Sequence, residues 1–401
     1  MPQRPDVRPP FSPHSPEARA AEVARRPRRS WNEALAQTRA YARASAPRAL
    51  WQLASTLSLY GIAIGLMFAT VLPDSAYRAP YALTLLLSIV AAIAYMRLFM
   101  IGHDTGHGSF LPEAWQNVVV GNLMGVLTNT PIGYWARQHH LHHQGNGNLD
   151  KRGAGDVDMM TAEEFRNASA ARRLCYRIYR NPFFLLGVAA PFHFVVLQRY
   201  PIGHQARTRS GWASVMGTNL GIAVYYGALI AAFGLAPFLK VYAPVVLLSS
   251  AGAVWLFYVQ HQYEGTYYRR RSEWDYQRAA LEGSSFYDLP RILHWASANI
   301  GYHHIHHLNP KVPNYRLPVC HEQVELFQNA RHLTLRGSLS AARLAIWDEE
   351  RRALVGFRDT GAALEPDRVR ALDPVRPLDR VKPLDRVKPL DAVLVDQGAS
   401  A

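Results

Sequence analysis

Four stretches are long and apolar enough to leave this chain few choices of fold. Residues 51–72 (WQLASTLSLYGIAIGLMFATVL), 81–102 (YALTLLLSIVAAIAYMRLFMIG), 212–233 (WASVMGTNLGIAVYYGALIAAF) and 241–260 (VYAPVVLLSSAGAVWLFYVQ) each supply about the ~20 mostly apolar residues a helix needs to cross a bilayer. The pattern predicts an all-α integral membrane protein with four transmembrane helices in two hairpins. The links, 73-PDSAYRAP-80 and 234-GLAPFLK-240, carry one basic residue each, whereas 1–50, 134–211 and 263–401 are thick with Arg. The positive-inside rule puts those three basic segments, and so both termini, in the cytoplasm. That orientation role is enough to account for the net charge of +14. No nucleic-acid-binding motif accompanies the charge, so a nucleic-acid partner is not expected.

Two shorter apolar stretches need a separate argument. Residues 119–132 are too short to span, and 182–198 is interrupted by Pro191 and carries His193. Stretches of this length are more often interfacial or re-entrant than spanning. The first 48 residues hold no apolar run that could act as a signal peptide and are rich in Pro and Arg, which predicts a disordered basic tail. Asp6, Glu17 and Glu22 count against a transit peptide. Residues 49–345 are expected to form the membrane domain and 346–401 a C-terminal segment. Its units VRALDP, VRPLDR, VKPLDR and VKPLDA, over 369–392, carry too much Pro for a helix and too little apolar content for a core. They read as a solvated tail. Cys175 and Cys320 both fall in cytoplasmic segments and are expected to be reduced thiols without a structural role.

Three histidine groups sit beside this apolar frame. His103 and His107 follow the second span, His139, His142 and His143 follow the 119–132 stretch, and His303, His306 and His307 lie beyond the fourth span. On a helix, positions i, i+3 and i+4 share a face, so each HxxHH offers three imidazoles together and HxxxH offers two. Eight such rings are too many for one metal ion and suit two. A ninth candidate is His261, at the end of the fourth span, where ionisable residues tend to face the bundle interior. Imidazole suits Zn, Cu, Fe and Ni, so ligand type alone does not choose the metal. The lack of a Cys partner argues against a Cys-containing structural zinc site. His140 and His304 each stand one residue past the first ligand of a box, about 100° round a helix, and read as supporting or solvent-facing residues. Asp104 and Asn299 are candidates to orient ligands through the ring nitrogen that the metal does not use. Isolated histidines near a membrane surface are usually interfacial, which is the reading for His14, His193, His204, His321 and His332.

The boxes 103-HDTGHGSF-110, 139-HHLHH-143 and 299-NIGYHHIHHLNPKVPNY-315 closely resemble those of membrane fatty acid desaturases, in particular the acyl-lipid branch that includes Δ12-type enzymes. The run 277-QRAALEGSSFYDLPRILHW-295, and Arg97 and Phe99 ahead of the first box, are similar to that branch as well. The resemblance covers roughly residues 50 to 335. It implies two Fe ions in a cytoplasmic cap, held by His103, His107, His139, His142, His143, His303, His306 and His307, with His261 as the additional ligand. It also implies an O2-dependent reaction that places a cis double bond in a fatty acyl lipid, acyl-CoA or acyl-ACP. His294 departs from the pattern, standing where a polar uncharged residue is usual. No His-Pro-Gly-Gly haem motif is present, so neither haem nor flavin is expected on the chain, and the two electrons would come from a ferredoxin with its reductase.

If all three boxes reach one centre, an even number of spans must separate the second from the third, so 182–198 should lie in the interface and not cross. The bacterial inner membrane is the expected location. The boxes alone do not separate desaturation from hydroxylation or ketolation of acyl, carotenoid or alkane substrates, because these reactions can begin with the same hydrogen abstraction. A transporter should carry ionisable residues near the bilayer midplane, and a bis-histidine cytochrome has no use for two HxxHH sets.

Overall fold

The computed structural model describes residues 28–359 apart from 154 and 329. The expected tails therefore lie largely outside the described residues, 1–27 at one end and 360–401, with the hexapeptide repeats, at the other.

The fold is mostly helical, as expected, with two small sheets that hydrophobic patterning does not reveal. A short helix α1 (Arg28–Thr38) precedes the long helices α2 (Ala46–Val71) and α3 (Tyr81–Gly106). Pro80 starts α3 and the turn before Pro73 ends α2, because proline cannot continue the hydrogen-bond ladder. Helices α4 (Ala114–Leu127) and α5 (Ile132–Gly145) follow, then α6 (Arg209–Phe233) and α7 (Leu235–His261). Only Gly234 separates α6 from α7, so the link expected over 234–240 is mostly helix. Its φ of 86° is the left-handed region open to glycine, and it lets the chain reverse in one residue. Pro244 sits inside α7, which apolar helices tolerate when neighbours satisfy the freed carbonyl.

Among the described residues, five segments are long and apolar enough to cross a membrane by length and composition: the four helices α2, α3, α6 and α7, and 182–207. The fifth is not one continuous α-helix. It is built of a three-residue α turn, a five-residue π turn, a six-residue α-helix and two 3₁₀ turns. The main apolar core lies where α2, α3 and α7 meet, around Tyr60, Met67, Leu98, Ile101 and Val245. Helix α4 reaches α5 through a tight turn in which a Cβ on Gly125 would stand 2.5 Å from the Thr130 carbonyl oxygen, so only glycine fits there. That turn brings α5, with the second histidine box, beside the end of α3.

Two expectations about the chain ends need correction. Residues 28–48 are folded and not a tail: Ala34, Thr38 and Tyr41 are buried on one face, Tyr41 Oη donates to Gln323 Oε1 at 2.6 Å, and Asn309 Nδ2 donates to Thr38 Oγ1 at 2.9 Å. The stripe is short and split between small and polar side chains, which is why hydropathy alone misses it. The boundary placed at 345 falls inside a sheet. Strand β1 (Met160–Thr161) pairs in parallel with β4 (Ile346–Asp348), and β4 pairs antiparallel with β5 (Ala353–Val355). The second sheet pairs β2 (Phe286–Asp288) with β3 (His332–Thr334). Arg180, buried with no carboxylate partner among the described residues, ties the first sheet to α7 by donating to Asp158 O at 3.0 Å, Tyr258 Oη at 2.9 Å and Leu344 O at 2.8 Å.

Trp347 is 1% exposed and packs between Leu149, Tyr268 and Leu354. Trp347→Ala should therefore cost about 3–5 kcal/mol, seen as a lowered Tm of the detergent-solubilised protein. An unchanged Tm would mean that 346–355 is not part of the folded unit.

Candidate metal centre

The end of α3 continues past its apolar run for one more turn, and that turn carries His103, with His107 just beyond at the C-cap. Helix α5 carries His139, His142 and His143, the last residue of α7 is His261, and the short helix α9 (His303–Leu308), which packs on α8 (Tyr276–Glu282), carries His303, His306 and His307. The ring nitrogens of His103, His107, His139 and His306 lie within 4.8 Å of one another, and so do those of His142, His261, His303 and His307. The structure therefore brings the predicted residues together as two sets of four.

The division explains why the HxxHH pattern occurs twice. In α5 the first histidine, His139, serves one set and His142 the other; in α9 His306 serves one and His303 with His307 the other. Residues three apart on a helix are neighbours along its face, so one short helix can reach two adjacent centres. His143 belongs to neither set of four. It sits between them, with its Nε2 3.0 Å from His139 Nε2 and its ring stacked on His307 at 4.1 Å between centroids.

Within the sets, His103 Nε2 lies 3.0 Å from His139 Nε2, His142 Nε2 3.1 Å from His261 Nε2, and His303 Nε2 2.9 Å from His261 Nε2 and 3.1 Å from His307 Nε2. Two nitrogens each about 2.1 Å from a shared ion, at right angles, stand ~3.0 Å apart. The Nε2 atoms of His107 and His306 are buried with no hydrogen-bond partner, a costly state that a bound cation would relieve. Burial first, and then the neighbouring imidazoles, hold His107, His139, His143, His303, His306 and His307 well below the usual histidine range. These rings are therefore neutral near pH 7, with lone pairs free to ligate. An all-imidazole donor set fits iron, zinc, copper or nickel.

Ring orientation is set from behind. His103 Nδ1 is 3.0 Å from Asp104 Oδ1, and the other carboxylate oxygen accepts from Asn314 N at 2.7 Å and Asn314 Nδ2 at 2.8 Å. Gln52 Nε2 on α2 donates in turn to Asn314 Oδ1 at 3.0 Å. His142 Nδ1 is hydrogen-bonded to Asp156, and His261 Nδ1 donates to the Gly283 carbonyl at 3.0 Å. Trp135 stacks on His139 with centroids 4.5 Å apart. Such outer partners fix the tautomer of a ligating histidine and raise its basicity.

Asp104 stands directly behind His103, whereas four other residues are not at the sets. Asn299 donates to the Asn314 carbonyl at 3.2 Å and acts one bond further back, because residues 298 and 299 both take left-handed backbone and turn its side chain toward 314. His140 is exposed and pairs with Gln144 at 2.9 Å. His304 is fully buried on the other side of α9, 3.3 Å from His321 Nδ1. His294 stacks on Tyr302 at 4.8 Å and accepts from Leu289 N at 3.3 Å, away from both sets. Sequence reasoning misses Asp156, Gly283, Asn314 and Gln52. Asp156 lies in 153-GAGDVD-158, a glycine-rich turn with no spacing that ties it to a histidine. Cys175 is exposed, Cys320 buried, and both are free thiols.

Among known families, the profile described as fatty acid desaturase matches residues 76–337. A fatty acid desaturase of Bacillus subtilis is 40% identical over 322 residues, which is 80% of this chain and 89% of that protein. An sn-1 oleoyl-lipid 12-desaturase of Anabaena variabilis is 27% identical over 276 residues, 68% of this chain and 77% of its own. Its Synechocystis counterpart is 28% identical over 224 residues, 56% of this chain and 63% of its own.

Replacing Asp156 by Asn should weaken metal retention roughly 10–100-fold, read as metal content after titration with a chelator, while His140→Ala should leave it unchanged. Since the rings resist protonation, metal should stay bound as the pH falls through about 6.5, the ordinary imidazole value, and leave below it. Release already complete above pH 7 would contradict the neutral, buried assignment.

Proposed function

The chain belongs to the fatty acid desaturase family, and from that footing we propose that it takes two hydrogens from adjacent methylenes of a membrane-lipid acyl chain, leaving a cis double bond. It is an oxidoreductase of lipid metabolism, and its apolar helices are those of a membrane protein. The observation that carries the reading is the pairing of two four-histidine sets at the ends of apolar helices. In the balance proposed, O2, two external electrons and two protons, with the two hydrogens removed, give two water molecules and the alkene.

His103, His107, His139 and His306 would hold one Fe ion, and His142, His261, His303 and His307 the other, with His143 between them. When bound, the metal pair supplies an oxidant strong enough for an unactivated C–H bond, which no side chain is. The chain's own residues do the positioning. Asp104, Asp156 and the Gly283 carbonyl fix the ring planes. Phe99, Trp135 and Phe194 form an edge-to-face group beside His139, and Phe257 lies 5.0 Å from the His142 ring. This apolar wall keeps bulk water from the rings and offers an acyl chain a surface at fixed depth, and the depth at which a methylene is held decides where the double bond forms. Since the Δ12 relatives act on oleoyl lipids by name, an oleoyl-type glycerolipid chain is the proposed substrate class. A ferredoxin with its reductase is the proposed electron source.

Topology follows from the same convergence. His139, His142 and His143 precede 182–207, α6 and α7, while His303, His306 and His307 follow them. Two sets drawn from both sides of that stretch need an even number of crossings, so α6 and α7 cross and 182–207 lies along the interface. Four helices then span, and the arginine-rich flanks orient the site to the cytoplasm of a bacterial inner membrane.

Co-expression with a ferredoxin and reductase should add a new unsaturated acid to the host lipids, located by gas chromatography–mass spectrometry after derivatisation. His303→Ala should lower it to background. A hydroxy acid in place of the alkene would reassign the protein to hydroxylation.

A further inference from the structure

The start of α2 gathers positive charge that nothing among the described residues neutralises. Ser45 N donates to Tyr315 Oη at 2.9 Å, which brings the segment 43–48 against 314–316. Arg43 and Arg48 therefore flank Arg316. None of the three has a carboxylate partner among the described residues, and the Nε of Arg316 is buried without a hydrogen bond. Burial first, and then the charges of Arg48 and Arg43, push the Arg316 guanidinium below its usual range. The first turn of α2 contains no acidic residue either, and its N-cap side chain makes no capping bond, so the partial positive charge of the helix end adds to the three arginines.

Three guanidinium groups held together with no counter-ion among the described residues repel one another, and an anion between them would reverse the sign of that interaction. The depth of the cluster says which anion. Leu50 and Trp51, on the next turn of α2, are 55% and 72% exposed, as befits residues entering lipid. Tryptophan concentrates at headgroup level, so the arginines stand at the level of lipid phosphates. A bulky acidic protein meets that level only at its outer rim. Basic pockets beside membrane helices are sites where anionic headgroups bind.

We propose that Arg43, Arg48 and Arg316 form a binding site for the phosphate of an anionic glycerophospholipid at the interfacial end of α2. The site is tied to the metal centre by a short path, since Asn314, two residues from Arg316, holds Asp104, which in turn holds His103. It rests on α2 being a membrane helix and not on the desaturation reading, and its test involves no turnover.

The full-length protein in neutral detergent is titrated with phosphatidylglycerol or phosphatidylcholine of identical acyl chains, and retained lipid is counted by native mass spectrometry. Phosphatidylglycerol should bind at least on the order of tenfold more tightly, given three arginines at the headgroup level. Substituting Arg43→Gln, Arg48→Gln and Arg316→Gln together should abolish the preference, whereas Arg336→Gln, on an exposed surface elsewhere, should keep it. Lysine at the same three positions should preserve most of it and serves as the folded control. Equal binding of the two lipids by the unaltered protein would overturn the proposal without any variant. So would displacement by millimolar inorganic phosphate, which would mark a free-phosphate site, or a triple variant that keeps its lipid preference and loses only an acidic redox protein.

Discussion

Imidazoles can crowd into one small volume only if they are uncharged and each ring is aimed by something behind it. Both conditions depend on burial. The packing that shuts water from the rings is what pushes most of them well below the usual histidine range, and the same burial makes every unpaired ring nitrogen costly. The Asp104 carboxylate, the Asp156 carboxylate and the Gly283 carbonyl meet part of that cost. The remainder is left on atoms such as His107 Nε2 and His306 Nε2, inside the set they share.

The rest of the architecture serves this crowding. Helices α3 and α7 each overrun their apolar stretches so that His103, His107 and His261 stand beyond the expected lipid boundary. The tight turn at Gly125 and Thr130 sets α5 beside α3, and α8 supports the short α9. Arg180 and the sheet of β1, β4 and β5 close the outside of α7. Helix α1 locks the segment after α9 through Thr38 and Tyr41.

Most of the site is legible in the amino-acid sequence because its chemistry is concentrated in one residue type at helical spacing. The apolar helices are legible for a similar reason, as each is a long run with one property. What escapes is whatever depends on contacts between distant segments. Asp156 lies in a glycine turn, Gly283 acts through its backbone, and Gln52 reaches Asn314 across 262 positions of chain. The strands β4 and β5 are three residues each, too short for a period to show. Asn299 has the right chemistry for a ligand support, but its left-handed backbone aims it one partner further away, which no spacing rule anticipates.

The sharing of α5 and α9 between two sets has a consequence for how such a chain can change length. A residue inserted or deleted inside 139–143 or 303–307 would rotate part of the box away and strip members from both sets at once. The stretch between α5 and α6 is held less closely, meeting the centre through the Asp156 carboxylate and through Phe194 in the aromatic group beside His139. Insertions and deletions should therefore be tolerated between the boxes and excluded within them, so that the boxes keep a fixed ruler while the chain around them is free to grow or shrink.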